Sequence, residues 1–147
     1  MSTPDGIPAF LVQQVQAAYS EDIANQIFDG YQQAAQRPTT LRANTLKASA
    51  DDVAAALDEA GIPYEHAPWY KDAFVVDAPS ERDVWGMDIY RKGGIYLQSL
   101  SSMLPPLALA PREGADILDM CAAPGGKTSQ IAALTHGAAH ICACELN

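Results

Sequence analysis

The ten residues Asp119-Met120-Cys121-Ala122-Ala123-Pro124-Gly125-Gly126-Lys127-Thr128 hold the densest chemistry in the chain. A loop of such small residues lets a ligand approach the backbone closely, and a helix that starts directly after it offers unpaired N–H groups. Ala115 to Met120 reads as a short apolar strand, Thr128 to Leu134 as a helix and His140 to Cys144 as a second strand. Strand, glycine-rich turn, helix and strand make a βαβ unit with parallel strands. Glu145 stands at the end of the second strand, nineteen residues after Gly126. In nucleotide-binding βαβ units an acid at that place accepts hydrogen bonds from the ribose hydroxyls. Loop and acid together describe a site for an adenosine-containing cofactor.

Two phosphate-binding patterns compete and fit poorly. The Walker pattern matches Gly126-Lys127-Thr128 but needs glycine where Cys121 stands, and Pro124 removes a donor from what should be a cradle of N–H groups. The dinucleotide pattern G-x-G-x-x-G is absent. The three cysteines are Cys121, Cys142 and Cys144. Cys142 and Cys144, two apart on a strand, share a side and are expected to pack in the core or on the sheet face. A metal reading of that pair would need His136 and His140 as well, and no metal site is assigned. Trp69, Tyr70 and Phe74 could stack bases but are read first as the core of a small sheet. Arg42 and Lys47 are either phosphate contacts or surface cations, and His66 has no identifiable partner.

The elements that must position this chemistry follow from patterning. Pro8 suits a helix start, with Phe10, Leu11 and Val15 on one face. Ser20 caps a second helix with Glu21 and Asp22 in its first turn, an apolar stripe of Ile23, Ile27, Phe28 and Tyr31, and an end at Arg37-Pro38. Thr40 to Leu46 is a short strand. Ser49-Ala50-Asp51-Asp52 resembles a capping box, opening a helix through Val53, Leu57 and Ala60 that stops at Gly61. Tyr64 to Trp69 and Ala73 to Val76 are antiparallel strands, and the polar stretch Asp77 to Asp88 marks a boundary. The third part opens with the turn Arg91-Lys92-Gly93-Gly94 and Ile95-Tyr96-Leu97. Ser99 or Ser101 then caps a helix through Leu109, which Pro105-Pro106 must kink unless they sit near its start.

The string from Asp119 to Thr128 resembles the cofactor loop of the RNA (cytosine-5)-methyltransferase family, whose cofactor is S-adenosylmethionine. Leu41-Arg42-Ala43-Asn44-Thr45-Leu46-Lys47, Tyr96-Leu97-Gln98-Ser99-Leu100-Ser101-Ser102-Met103-Leu104-Pro105 and Cys144-Glu145 agree in order and spacing with the ribosomal RNA members. The resemblance covers Arg37 to Asn147 well and the first helices loosely. It implies that Cys121, Ala122, Ala123, Pro124, Gly125, Gly126 and Lys127 wrap the cofactor and that Glu145 holds its ribose. It also implies that Tyr96 and Gln98 line the cofactor or target pocket, a role that simple packing rivals.

By the same resemblance the fold is α/β in three parts. N-terminal helices occupy 1–36 and a small α+β domain of RNA-contacting type 37–88. A truncated Rossmann-like S-adenosylmethionine-binding domain, the start of a class I methyltransferase sheet, occupies 89–147. The family adds a cysteine thiolate to carbon 6 of cytosine, methylates carbon 5 and removes its proton. Its catalytic cysteines and base-holding acids come well after the ribose carboxylate, so no catalytic residue is expected among these 147 residues, which alone are expected to be inactive. The rival expectation is a non-catalytic remnant that binds RNA or a partner.

Composition bounds the rest. With 48% hydrophobic and 18% charged residues the chain is neither disordered nor membrane-spanning. The segment Met1 to Ala9 lacks the pattern of a secretory leader, and so few cysteines suit a reducing cytoplasm. The net charge of −9 is regional: five basic residues face fourteen acidic ones through Tyr90, and four face four beyond it. Such acidity disfavours long-range attraction to phosphates, so the ribosomal RNA partner is expected of the whole enzyme. No membrane partner and no oligomeric state are assigned.

Overall fold

A computed structural model describes residues 6–34, 37–76 and 81–146. Residues 1–5 of the segment read for a leader, 35–36 before the expected helix end, and 77–80 of the polar boundary stretch lie outside them. The chain divides into two compact units, Met1–Arg37 and Pro38–Asn147.

The first unit contains α1 (Ala9–Ala18) and α2 (Glu21–Ala34). Pro8 precedes α1, and its carbonyl accepts from Leu11 and Val12 N–H. The Ser20 carbonyl likewise accepts from Ala24 N–H at the start of α2. Val12, Val15, Ala24 and Phe28 form the buried cluster. Phe10, expected on the buried face, is 64% exposed. Val12 takes that side because residues two apart project from opposite sides of a helix. The α2 stripe is rotated in the same way: Ala24 and Phe28, one turn apart, point inward, leaving Ile23 and Tyr31 exposed.

The second unit is built on a four-stranded antiparallel sheet of order β2-β3-β1-β4. Its strands are β1 (Thr39–Ala43), β2 (Tyr64–Ala67), β3 (Tyr70–Val76) and β4 (Ile95–Leu97). The three-residue β4, expected to open the cofactor-binding part, is an edge of this sheet: Leu41, Arg42 and Ala43 pair with Leu97, Tyr96 and Ile95. One face of the sheet presents Leu41, Ala43, Phe74, Val76 and Ile95 to Val53 and Leu57 of α3 (Ala50–Glu59) and Val84 of α4 (Glu81–Gly86). Burying a side chain such as Leu41 or Phe74 stabilises the fold by roughly 1.5–3 kcal/mol. Helix α3 opens with the expected capping box, Ser49 Oγ accepting from Asp52 N–H at 3.1 Å and Asp52 Oδ2 from Ser49 N–H at 2.8 Å. A short α5 (Asp88–Arg91) leads to the Gly93-Gly94 turn and β4.

The other face packs Ala67, Tyr70 and Ala73 against Met103 of α6 (Leu100–Leu109), with Leu134 of α7 (Gly126–Leu134) beside them. Ser99 caps α6, and both Pro105 and Pro106 lie inside it. Pro106 has no N–H for the Ser102 carbonyl. The Gln98 side chain donates to that carbonyl instead, at 3.2 Å. Beyond α7, β5 (Asp116–Asp119) and β6 (His140–Ala143) pair in parallel, Asp116 opposite His140 and Asp119 opposite Ala143. The expected β-loop-α-β order is therefore present, its helix starting two residues earlier than expected, at Gly126. No helix among the described residues is long and apolar enough to cross a membrane.

Candidate functional site

Strand β5 delivers Asp119 to the mouth of the loop, where its carboxylate ties both ends. Asp119 Oδ1 accepts from Cys121 N–H at 3.3 Å, and Oδ2 accepts from the Thr128 hydroxyl at 2.6 Å. The loop is also stitched to β6: Cys144 N–H donates to the Asp119 carbonyl and Ala122 N–H to the Cys144 carbonyl, at 2.8 and 3.0 Å. Gly125 closes the turn with φ +101°, a backbone state that disfavours any side chain, and donates to the Ala122 carbonyl at 2.7 Å. Within α7, Ser129 N–H returns to the Gly125 carbonyl, while helix geometry leaves the N–H groups of Gly126, Lys127 and Thr128 without intrahelical acceptors. Cys121, Ala123, Pro124 and Lys127 are exposed, Ala122 and Gly125 half-buried and Gly126 buried. Glu145 lies beside them, its Oε2 accepting from Ala123 N–H at 2.9 Å and its Oε1 from Leu146 N–H at 2.7 Å. The eight residues singled out from sequence thus converge on one loop and the carboxylate that borders it.

The underside of the loop rests on the antiparallel sheet. The Tyr96 hydroxyl donates to the Pro124 carbonyl at 2.8 Å. A Cβ on Gly126 would come within 3.2 Å of the Tyr96 ring and 3.5 Å of the Gln98 side chain, so a larger residue there would have to push the tyrosine ring aside. Arg42, read from sequence as a phosphate contact or surface cation, is neither: it is fully buried. Its guanidinium donates to Gln98 Oε1 at 3.2 Å, the Ala43 carbonyl at 3.1 Å and Ser129 Oγ at 3.1 Å. Burial lowers its pKa from the usual arginine value, against the opposing influence of Tyr70, Asp72 and Tyr96. Gln98 donates on to Gln130 Oε1 at 2.9 Å, and Gln130 to the Met103 carbonyl at 2.9 Å. Asp119, Thr128, Ser129 and Gln130 were not singled out from sequence. The first two sit inside the recognisable string, whereas nothing in the local sequence marks the last two.

Other candidates disperse. Phe74 and Tyr70 are buried as expected, but Trp69 is 44% exposed and stacks on Tyr70. His66 gains a partner, its Nδ1 lying 2.8 Å from the Lys71 carbonyl and its ring against Phe74. All three cysteines are free and exposed. Cys142 and Cys144 therefore lack the packing expected of them. They belong to an open sheet face that also shows Leu118, 59% exposed. Cys144 is pushed up from the usual thiol pKa, chiefly by its neighbour Cys142. Among the described residues no group of His, Cys, Asp and Glu is placed to hold a metal ion. A separate open groove of about 860 Å³ is lined by residues 45–52 with His66, Lys71 and Asp72, where basic and acidic side chains offset one another.

A small-residue loop between a parallel strand and a helix, with an acid at the tip of the next strand, is the arrangement found in Rossmann-like nucleotide-binding units. The comparisons assign it to a family. Residues 7–83 match the family model of the RsmF/B-like methyltransferase ferredoxin-like domain, and residues 106–147 that of the 16S rRNA methyltransferases RsmB/F. The chain belongs to the RsmB/F methyltransferase family and corresponds to its N-terminal region. Among its relatives, the human "28S rRNA (cytosine(4447)-C(5))-methyltransferase" is 45% identical over 112 residues, covering 76% of this chain and 14% of the human protein. The "Ribosomal RNA small subunit methyltransferase F" of Shewanella amazonensis is 39% identical over 110 residues, covering 72% and 23%. The chain thus spans less than a quarter of either. A methyltransferase homologue from Pyrococcus horikoshii superposes with a TM-score of 0.70 at 31% identity, covering 93% of this chain and 48% of the other.

Proposed function

We propose that this chain is the cofactor-loop portion of an enzyme that methylates carbon 5 of a cytosine in ribosomal RNA. The observation that carries the reading is the placement of Glu145 against the loop 121–127, with the loop's outer surface exposed and the helix N–H groups behind it. These residues fit S-adenosylmethionine. Glycine at 125 and 126 allows close backbone approach, the first amides of α7 can donate, and the Glu145 carboxylate can accept from two ribose hydroxyls once it releases Ala123. When bound, the cofactor supplies an electrophilic methyl group. RNA contact is assigned to the part expected over residues 37–88, whose sheet also takes in β4, and the reducing cytoplasm suits three free thiols.

The 147 residues alone do not catalyse. Carbon-6 attack needs a thiolate close to the base. Cys121 belongs to the loop read as holding the cofactor, and Cys142 and Cys144 lie exposed on and just beyond β6, with no pocket for a base beside them among the described residues.

Deleting the gene and reading ribosomal RNA by bisulfite sequencing tests both statements. The expected outcome is loss of the 5-methyl group at a single cytosine, restored by the native gene product but not by the 147 residues. Unchanged methylation refutes the assignment, and restoration by the 147 residues refutes their inactivity.

A further inference from the structure

We propose that Tyr96 and Arg42, on adjacent strands of the antiparallel sheet, are positioning residues for the cofactor loop. The proposal rests on reading residues 121–127 as that loop, and it makes the sheet a working part of the cofactor site. Arg42 and Tyr96 are register partners between β1 and β4, so they project side by side from one face, the guanidinium carbon 5.8 Å from the centre of the tyrosine ring. From there two lines reach the loop. Tyr96 donates directly to the Pro124 carbonyl at 2.8 Å. Arg42 acts through Ser129, whose hydroxyl accepts from Nη2 and donates to the Gly126 carbonyl, both at 3.1 Å. The two carbonyls flank Gly125, the residue whose φ of +101° makes the turn.

A loop of alanine, proline and glycine has almost no side chains with which to hold its own shape. Bonds from outside reduce the ordering that a ligand must otherwise impose. The bonding of Arg42 points the same way. Its hydrogen-bond acceptors are neutral, namely Gln98, Ala43 and Ser129, with the buried Asp72 carboxylate near enough to favour its charge, and a buried cation so placed contributes little to stability alone. What the planar guanidinium offers is a rigid fork that fixes three elements at once.

Hydrogen exchange at the loop amides and calorimetric titration with S-adenosylhomocysteine separate this role from simple packing. The variants are Tyr96→Phe, Ser129→Ala and Arg42→Lys. Tyr96→Phe keeps the packed atoms and removes one bond, whereas Ser129→Ala removes two and leaves Arg42 Nη2 without that acceptor. Tyr96→Phe is expected to leave the thermal midpoint nearly unchanged and Ser129→Ala to lower it; both are expected to speed exchange at residues 121–127 and weaken binding, Tyr96→Phe by about three- to tenfold, the range of one net hydrogen bond. Arg42→Lys is likewise expected to speed exchange at residues 121–127 and weaken binding, because one ammonium cannot span the three acceptors. Wild-type exchange and affinity in both Tyr96→Phe and Ser129→Ala would overturn the proposal. If the native chain takes up no S-adenosylhomocysteine, the cofactor reading fails. The exchange data still decide the positioning role, faster loop exchange sustaining it and unchanged exchange ending it.

Discussion

At the scale of single residues, the loop is specified by what its positions exclude. Gly125 adopts φ +101°, where an L side chain is strained, so Gly125→Ala is expected to destabilise the chain by about 1–2 kcal/mol. Thermal unfolding checks this, and an unchanged midpoint would mean the turn can relax. The motif residues were legible because their chemistry is local: small side chains, then a helix start, then an acid one strand later. Arg42 was not legible. An isolated arginine in a strand reads as surface, and two of the partners that satisfy it, Gln98 and Ser129, are 56 and 87 residues away. His66 was opaque for a related reason, since its partner is a main-chain carbonyl that no residue type reveals.

Individual elements show where patterning succeeds and where tertiary context overrides it. The α3 cap was readable because all its parts lie within four residues. Its Asp52 carboxyl is held below the ordinary aspartate range by hydrogen bonds from Ser49. A depressed carboxyl pKa contributes stability above its unfolded value, lost as pH falls through the folded value. Ser49→Ala is accordingly expected to cost about 1 kcal/mol at neutral pH. The deficit should shrink when unfolding is repeated below the carboxylate range, and a pH-independent deficit would show that Asp52 plays no part. By contrast, β4 is too short to carry a period, and its partner β1 lies some fifty residues earlier, so sequence order attached it to the wrong neighbour. Helix α6 tolerates two internal prolines because Gln98 occupies a carbonyl that proline frees, a compensation visible only in three dimensions.

For the molecule as a whole, the antiparallel sheet of the second unit and the β5-α7-β6 unit share one buried polar layer of Arg42, Gln98 and Gln130. That layer places the loop 121–127 on the sheet instead of leaving it on an independent module. The negative charge concentrated before Tyr90 keeps long-range phosphate attraction weak. The central claim is that residues 121–127 with Glu145 form an S-adenosylmethionine site. Its most direct test is a nitrogen-15 correlation NMR titration of this chain with S-adenosylhomocysteine. Saturable shifts are predicted at the amides of residues 121–123, 125–128 and 145, abolished by Glu145→Ala combined with Gly126→Val. Unmoved loop resonances, or shifts confined to the separate groove beside Lys47 and Lys71, would contradict it.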